Sequence, residues 1–298
     1  MILANTGEAR KALVEELRGR QFRQFRNRLL LLAGMAALMG VGMSAKAESV
    51  QDHRIERVRN FLNGFPNYSA AQLTGFIDTT YVEHAPGVSD GQAGQRAYLA
   101  SVPEDSRIKP VRIFADGDYV VAQSEYNLFG PKVAFDVYRF HGDKVVEHWN
   151  NVQEKCRAPN VSGRTQIDGP IAVKDLDQTE ANKQLVEGYF DAVVFGGKRD
   201  QIPVYRYVED FHQHNCGAGD IKGGVPTQGT SPPFKIEKVH KILGQGNFVL
   251  VMSEGVSDGR PTAFYDLYRL QDGKQVEHWD VLEDLPQPGT SKNKNGKF

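Results

Sequence analysis

Apolar positions change period along this 298-residue chain, and they do so twice in the same order. Ile55, Val58, Phe61 and Leu62 fall at i, i+3, i+4 spacing, as do Leu185, Val186, Tyr189, Phe190 and Val193, and each set predicts an opening helix. Leu73, Phe76 and Ile77 predict a second short helix leading to His84. Alternating runs then take over at Val111–Phe114, Tyr119–Tyr126, Val133–Phe140 and Lys144–Val152. Asp116-Gly117-Asp118, Gly142-Asp143 and Asp272-Gly273 supply tight turns between strands. Helices first and an antiparallel meander afterwards predict an α+β layout with a curved sheet wrapped around the helices.

The order recurs because the sequence does. Phe135-Asp136-Val137-Tyr138-Arg139-Phe140 returns as Tyr265-Asp266-Leu267-Tyr268-Arg269-Leu270, and Val146-Glu147-His148-Trp149 returns as Val276-Glu277-His278-Trp279, both 130 residues on. Upstream, Tyr81-Val82-Glu83-His84 aligns with Phe211-His212-Gln213-His214. This predicts two tandem domains, 50–156 and 178–284, joined by a Pro/Gly/Asn/Asp-rich linker at 157–177 and followed by a polar tail at 285–298 expected to be disordered.

Charge adds a further division. Residues 1–47 carry 8 basic and 3 acidic side chains, which leaves 28 basic against 34 acidic from Glu48 onward. An acidic folded part has little with which to neutralise phosphates, so no nucleic-acid partner is expected. The basic residues Arg23, Arg26 and Arg28 precede an apolar run from Leu29 to Met43 and then Ala45-Lys46-Ala47, the pattern of a secretory signal cleaved after Ala47. The expectation is an exported, periplasmic or secreted protein with no membrane association after cleavage; the alternative is an anchor formed by the uncleaved segment. Cys156 and Cys216 permit one disulfide without requiring it, and no zinc-type spacing occurs, so neither metal nor cofactor is expected.

Each copy resembles the SnoaL-like branch of the nuclear transport factor 2-like superfamily. The resemblance is carried by Asp143-Lys144-Val145-Val146-Glu147-His148-Trp149-Asn150 and by Gly273-Lys274-Gln275-Val276-Glu277-His278-Trp279-Asp280, with His84-Ala85-Pro86 and His214-Asn215 in support. It implies two cone-shaped α+β barrels paired through their sheets near Trp149 and Trp279 as an intramolecular pseudo-dimer, with further self-association open. It also implies pocket positions for Asp136 and Asp266, a general-base position for His84 and His214, and an oxyanion-holding position for Tyr189, where the first copy has Phe61. Strand alternation adds His148, Asn150, His278 and Asp280 to the cone lining, and Glu125 and Glu254 stand where relatives often carry His. The residues themselves leave two alternatives open: each Asp paired with Arg139 or Arg269 on a surface strand, and each His as a hydrogen-bonded structural group.

Two functions fit these features. One is a cofactor-independent isomerase, cyclase or aldol-type enzyme acting on a small, largely apolar carbonyl compound, with His214, Asp266 and Tyr189 of the second copy as the favoured set and His84 and Asp136 as its counterpart. The other is a non-catalytic module binding a small ligand or another protein.

Overall fold

The computed structural model describes residues 50–227 and 233–298, so the candidate signal segment lies outside the described residues. The first half opens with a helix over 50–64 (α1), whose Val58 and Leu62 are buried. Helix α2 (Ala70–Phe76) starts at a capping box in which Ser69 and Gln72 satisfy each other's backbone N–H groups. It stops at Ile77, which already has extended dihedrals. The run that follows is rich in β-branched and aromatic residues and forms strand β1 (Ile77–Glu83). This corrects the expectation of a helix running up to His84. Helix α3 (Gly91–Leu99) precedes the meander β2 (Arg107–Asp116), β3 (Tyr119–Asn127), β4 (Pro131–His141) and β5 (Lys144–Glu154).

The second half repeats the plan with α4 (Thr179–Tyr189), whose axis continues as a π-helical turn over Phe190–Phe195, and the short α5 (Ile202–Tyr205). Strands β6 (Asp210–Gln213), β7 (Ile221–Lys222), β8 (Val225–Pro226), β9 (Phe234–Gln245), β10 (Phe248–Ser257), β11 (Arg260–Gln271) and β12 (Lys274–Asp284) follow. The sheets run β1-β5-β4-β3-β2 and β8-β7-β6-β12-β11-β10-β9, so β6, β12, β11, β10 and β9 reproduce the first order. In both, the first strand pairs in parallel with the last: Glu83 faces His148 and Gln213 faces His278. Both sheets bulge at the same place, between Arg139 and Phe140 and between Arg269 and Leu270.

Alternation gives every long strand two apolar faces. The inner faces pack on their own helices through Leu62, Phe76 and Tyr138 in one half and Val186, Phe190 and Tyr268 in the other. The outer faces share one cluster that includes Phe135, Val137 and Trp149 from the first sheet and Tyr265, Leu267 and Trp279 from the second. Residues 51–298 accordingly form one compact unit. Hydrogen bonds cross the seam in reciprocal pairs. Gln245 Oε1 accepts from the Ala115 N–H at 2.9 Å and Asp116 Oδ2 from the Gly244 N–H at 2.9 Å. Glu283 accepts from the Val152 N–H at 2.7 Å and Gln153 from the Leu282 N–H at 3.1 Å.

The tail expected to be disordered is docked. Asn293 donates to the Ala85 and Val88 carbonyls at 2.8 and 2.9 Å, and Asn295 to the Glu83 carbonyl at 2.9 Å. The linker does the same for the other half: Asn160 donates to the Gln213 and Ala218 carbonyls at 2.6 and 2.8 Å. Both arms carry Asn followed three residues later by a glycine at positive φ, Gly163 at 77° and Gly296 at 75°. Polar composition misled here because these side chains satisfy loop carbonyls that would otherwise lack partners. Cys156 is bonded to Cys216, fixing the start of the linker to the loop that Asn160 caps.

Candidate functional site

The inner face of the first sheet encloses a cavity of about 200 Å³ whose apolar lining comes from Phe61, Phe76 and Leu99 of the helices and from neighbouring loops and strands. Its polar groups come from three neighbouring strands. Asp136 on β4 faces Asn150 on β5, and Tyr138 faces His148, so Asp136, Tyr138, His148 and Asn150 all point to the same side. Glu83, at the end of β1, reaches the same cavity. The His148 ring lies between two carboxylates, with Nδ1 2.9 Å from Glu83 Oε1 and Nε2 3.2 Å from Asp136 Oδ1. The Tyr126 hydroxyl donates to Asp136, with its oxygen 2.8 and 2.7 Å from the two carboxylate oxygens.

Burial alone would push the His148 imidazole down, but the Glu83 charge and the hydrogen bonds to Asp136 and Glu83 outweigh it and raise the group to about 10. Burial would likewise raise the Glu83 carboxyl, yet His148 and the Ala85 N–H hold it below its usual range. Burial raises Tyr138 well above its ordinary value and Tyr98 to about 12, so both hydroxyls stay protonated as donors. Neither hydroxyl donates to another group among the described residues, and both line the cavity.

A second cavity, of about 180 Å³, lies inside the other sheet and holds Tyr189, Arg206, Asp266, His278 and Asp280. Here the Gln213 Oε1 is 2.8 Å from His278 Nδ1, while Nε2 is 2.9 Å from Asp266 Oδ1. Asp280 accepts from the Asn215 amide, and burial, reinforced by the neighbouring Asp266, raises its carboxyl. Arg206 donates to the Tyr189 hydroxyl at 3.0 Å and lies over the Tyr189 and Phe211 rings.

The structure therefore brings Asp136, His148 and Asn150 together in one cavity and Tyr189, Asp266, His278 and Asp280 in the other. It does not bring His84 or His214 to either. His84 follows a strand rather than a helix, so alternation turns it away from the inward Glu83. Its Nε2 lies 2.9 Å from Glu147 and its ring stacks on Trp149 at 4.7 Å. His214 has the matching placement, 2.8 Å from Glu277 and stacked on Trp279 at 4.6 Å. The surface pairing considered for Asp136 and Asp266 is taken by these same acids: Arg139 pairs with Glu147 and Arg269 with Glu277. Glu125 and Glu254 also sit outside the cavities, paired with Lys155 and with His240. Glu83, Gln213, Tyr126 and Arg206 were missed; reading Tyr81-Val82-Glu83 as a strand would have placed Tyr81 and Glu83 on the inner face.

A family model described as a SnoaL-like domain matches residues 58–148. No curated protein matches the chain. Among solved structures, TsrD from Streptomyces laurentii is 19% identical, covering 33% of this chain and 86% of its own, at a TM-score of 0.30. An LEH-like epoxide hydrolase from M. tuberculosis is 18% identical, covering 35% of this chain and 84% of its own, at a TM-score of 0.31. A protein of ketosteroid isomerase-like fold from Catenulispora acidiphila, solved with trimethylamine, is 20% identical over 32% of this chain and 83% of its own, at 0.28. Residues 58–148, which supply every group lining the first cavity except Asn150, Val152 and Glu283, are a SnoaL-like domain.

Proposed function

We propose that the chain is an exported tandem of two SnoaL-like cones, fused as a pseudo-dimer through their outer faces, and that the first cone takes a small, largely apolar carbonyl compound and moves a proton on it. The observation that carries this reading is the Glu83–His148–Asp136 chain at the edge of an otherwise apolar cavity. The matching strand order and the shared Trp149/Trp279 cluster support the fused pair. The Cys156–Cys216 bond supports an oxidising compartment.

In this reading Asp136 is the base. A C–H proton beside the ligand's carbonyl passes to Asp136 Oδ2, the C–H electron pair forms the enolate double bond, and the carbonyl π pair moves onto oxygen. The Tyr138 or Tyr98 hydroxyl donates to that oxygen, which a low-dielectric site rewards more than water would. The imidazolium of His148, held by Glu83, fixes the orientation of Asp136 and balances its charge. Isomerisation and aldol ring closure both begin from this step, and neither needs a group beyond these side chains.

One observation favours binding without turnover: Asp136 already accepts from both Tyr126 and His148. Exchange of α-protons for deuterium in D₂O, followed by NMR on a panel of small cyclic ketones and lactones, separates the two readings. Exchange by the full chain that falls at least about 100-fold in Asp136→Asn and in Tyr138→Phe supports the base and donor roles. Saturable binding with no exchange would establish the binding reading, and exchange undiminished by Asp136→Asn would overturn the mechanism.

A further inference from the structure

Around the cavity histidine, the two halves exchange an acid for an amide. The first has an acid beside the His Nδ1 (Glu83) and an amide on the last strand (Asn150). The second has the amide beside Nδ1 (Gln213) and the acid on the last strand (Asp280). The swap moves the second carboxylate from one side of the imidazole to the other. Donor atoms of Asp266, His278 and Asp280 all lie within 4.8 Å of one another, and all three residues are buried.

The hydrogen bonds fix which nitrogen is free. Gln213 Oε1 also accepts from the Asn215 N–H at 3.2 Å, which identifies it as the oxygen and makes His278 Nδ1 the donor. The ring's Nε2 faces Asp266 Oδ1 2.9 Å away, on the side of the carboxylate cluster. The other oxygen, Asp266 Oδ2, is buried with no hydrogen-bond partner among the described residues, on a side chain 6% exposed as a residue. A cation placed among these atoms gives the unpartnered Asp266 oxygen a charge to bind.

We propose that Asp266, His278 and Asp280 bind a divalent first-row transition ion in the second cavity. One imidazole and two carboxylates suit zinc better than magnesium or calcium, which take oxygen ligands. The two carboxylate charges balance the ion, and three protein ligands leave a position for water or a ligand oxygen. Ligand atoms about 2.1 Å from zinc at tetrahedral angles lie about 3.4 Å apart, so the site opens by roughly half an ångström to admit it. Gln213 is a positioning residue: it holds the ring through the second nitrogen, as outer partners of metal-bound histidines do. Arg206, the cation lining this cavity, is engaged by Tyr189 and Gln275. This site is independent of the first-cone chemistry proposed above.

The test uses the full chain, stripped with a chelator, dialysed and titrated with zinc and cobalt chloride. One ion per chain is expected. Asp280→Asn, which restores the first cone's side chain, should weaken binding by at least about 100-fold and Gln213→Leu by about 10- to 100-fold, while Asp136→Asn leaves it unchanged. A measurement on the unaltered protein stands beside the variants: zinc should shift the ¹⁵N resonance of His278 Nε2 and spare His53. No saturable binding at one equivalent, affinity unaffected by Asp280→Asn, or shifts confined to His212 or His240 would each overturn the proposal.

Discussion

Arg112 gives the sharpest test of how the two sheets and the linker are held together. It is 1% exposed, and its guanidinium donates to the carbonyls of Pro170, Ile167 and Asp168 at 2.7, 3.1 and 2.5 Å and to Gln123 Oε1 at 2.6 Å. It also lies 4.1 Å from the centre of the Trp279 ring. The linker can come this close because Gly169, at φ 95°, has no side chain: a Cβ there would meet Glu277 at 2.7 Å and Trp279 at 2.9 Å. Burial lowers the guanidinium to about 10, despite the opposing charges of Glu277 and Asp168, so it remains charged at neutral pH. In Arg112→Met the stem is kept and three acceptors lose their donor, the Pro170 and Ile167 carbonyls and Gln123 Oε1, while the Asp168 carbonyl keeps Trp279 Nε1. Taking about 1 kcal/mol for each, the low end for a buried unsatisfied acceptor because water reaches part of the linker, gives about 3 kcal/mol. The lost cation–π contact adds about 1 kcal/mol. The total of about 4 kcal/mol corresponds to a fall in melting temperature of roughly 10 °C for a chain of this size. Its counterpart Lys241, over Trp149 at 4.5 Å, makes no side-chain hydrogen bond among the described residues, so Lys241→Met should cost no more than about 1 kcal/mol. Urea unfolding of both variants with the disulfide intact is the assay. Equal losses, or less than about 1 kcal/mol for Arg112→Met, would refute this account.

His148 is raised in the folded state, so its contribution to stability is complete below about 6.5 and is lost as pH rises toward about 10. The stability difference between the unaltered protein and His148→Gln should shrink between pH 7 and 9.5 and stay level between pH 5.5 and 6.5; a difference that grows with pH would contradict it. The Cys156–Cys216 bond closes a separation of 60 residues, so Cys156→Ser with Cys216→Ser should cost about 4 kcal/mol in the chain-entropy account, read from urea midpoints. Asn293→Ala should speed hydrogen exchange over residues 84–90 and leave 214–220 protected, whereas Asn160→Ala should do the reverse. Uniform loss of protection in either variant would show that the arms do not act locally.

Most strands were legible because alternation and the turn glycines act over a few residues, and several of the strand segments recur 129–130 residues on. The same period-two rule grouped the residues of β4, β5, β11 and β12 by face, and the resemblance to SnoaL-like domains chose which face lines the cavity. Parity was not applied where a strand was not foreseen: the short helix read at Leu73, Phe76 and Ile77 was expected to lead to His84, so the strand Ile77–Glu83 and its inward Glu83 went unread. Arg206 was out of reach for a different reason, since it meets Tyr189 across 17 residues through a short helix and an isolated bridge to β12. The docking of 285–298 needed partners more than 200 positions upstream, which no local pattern announces. The repeated Asn-x-x-Gly of the two arms was present in the sequence, but at a spacing of 133 rather than 130 residues.

The two arms are synthesised at opposite times relative to the loops they cap. Asn160 leaves the ribosome before Gln213 and Ala218, so the loop of the second half can close on an arm that is already waiting for it. Ala85 and Val88 must wait some 200 residues for Asn293, a span that takes on the order of 10 to 40 seconds at about 5 to 20 residues per second. Until the strands of the second sheet, ending at Asp284, have been made, the outer face of the first sheet has nothing to cover it. The half that emerges first is therefore the last to be finished, and the nascent first half is the stage at which a chaperone would find exposed apolar surface.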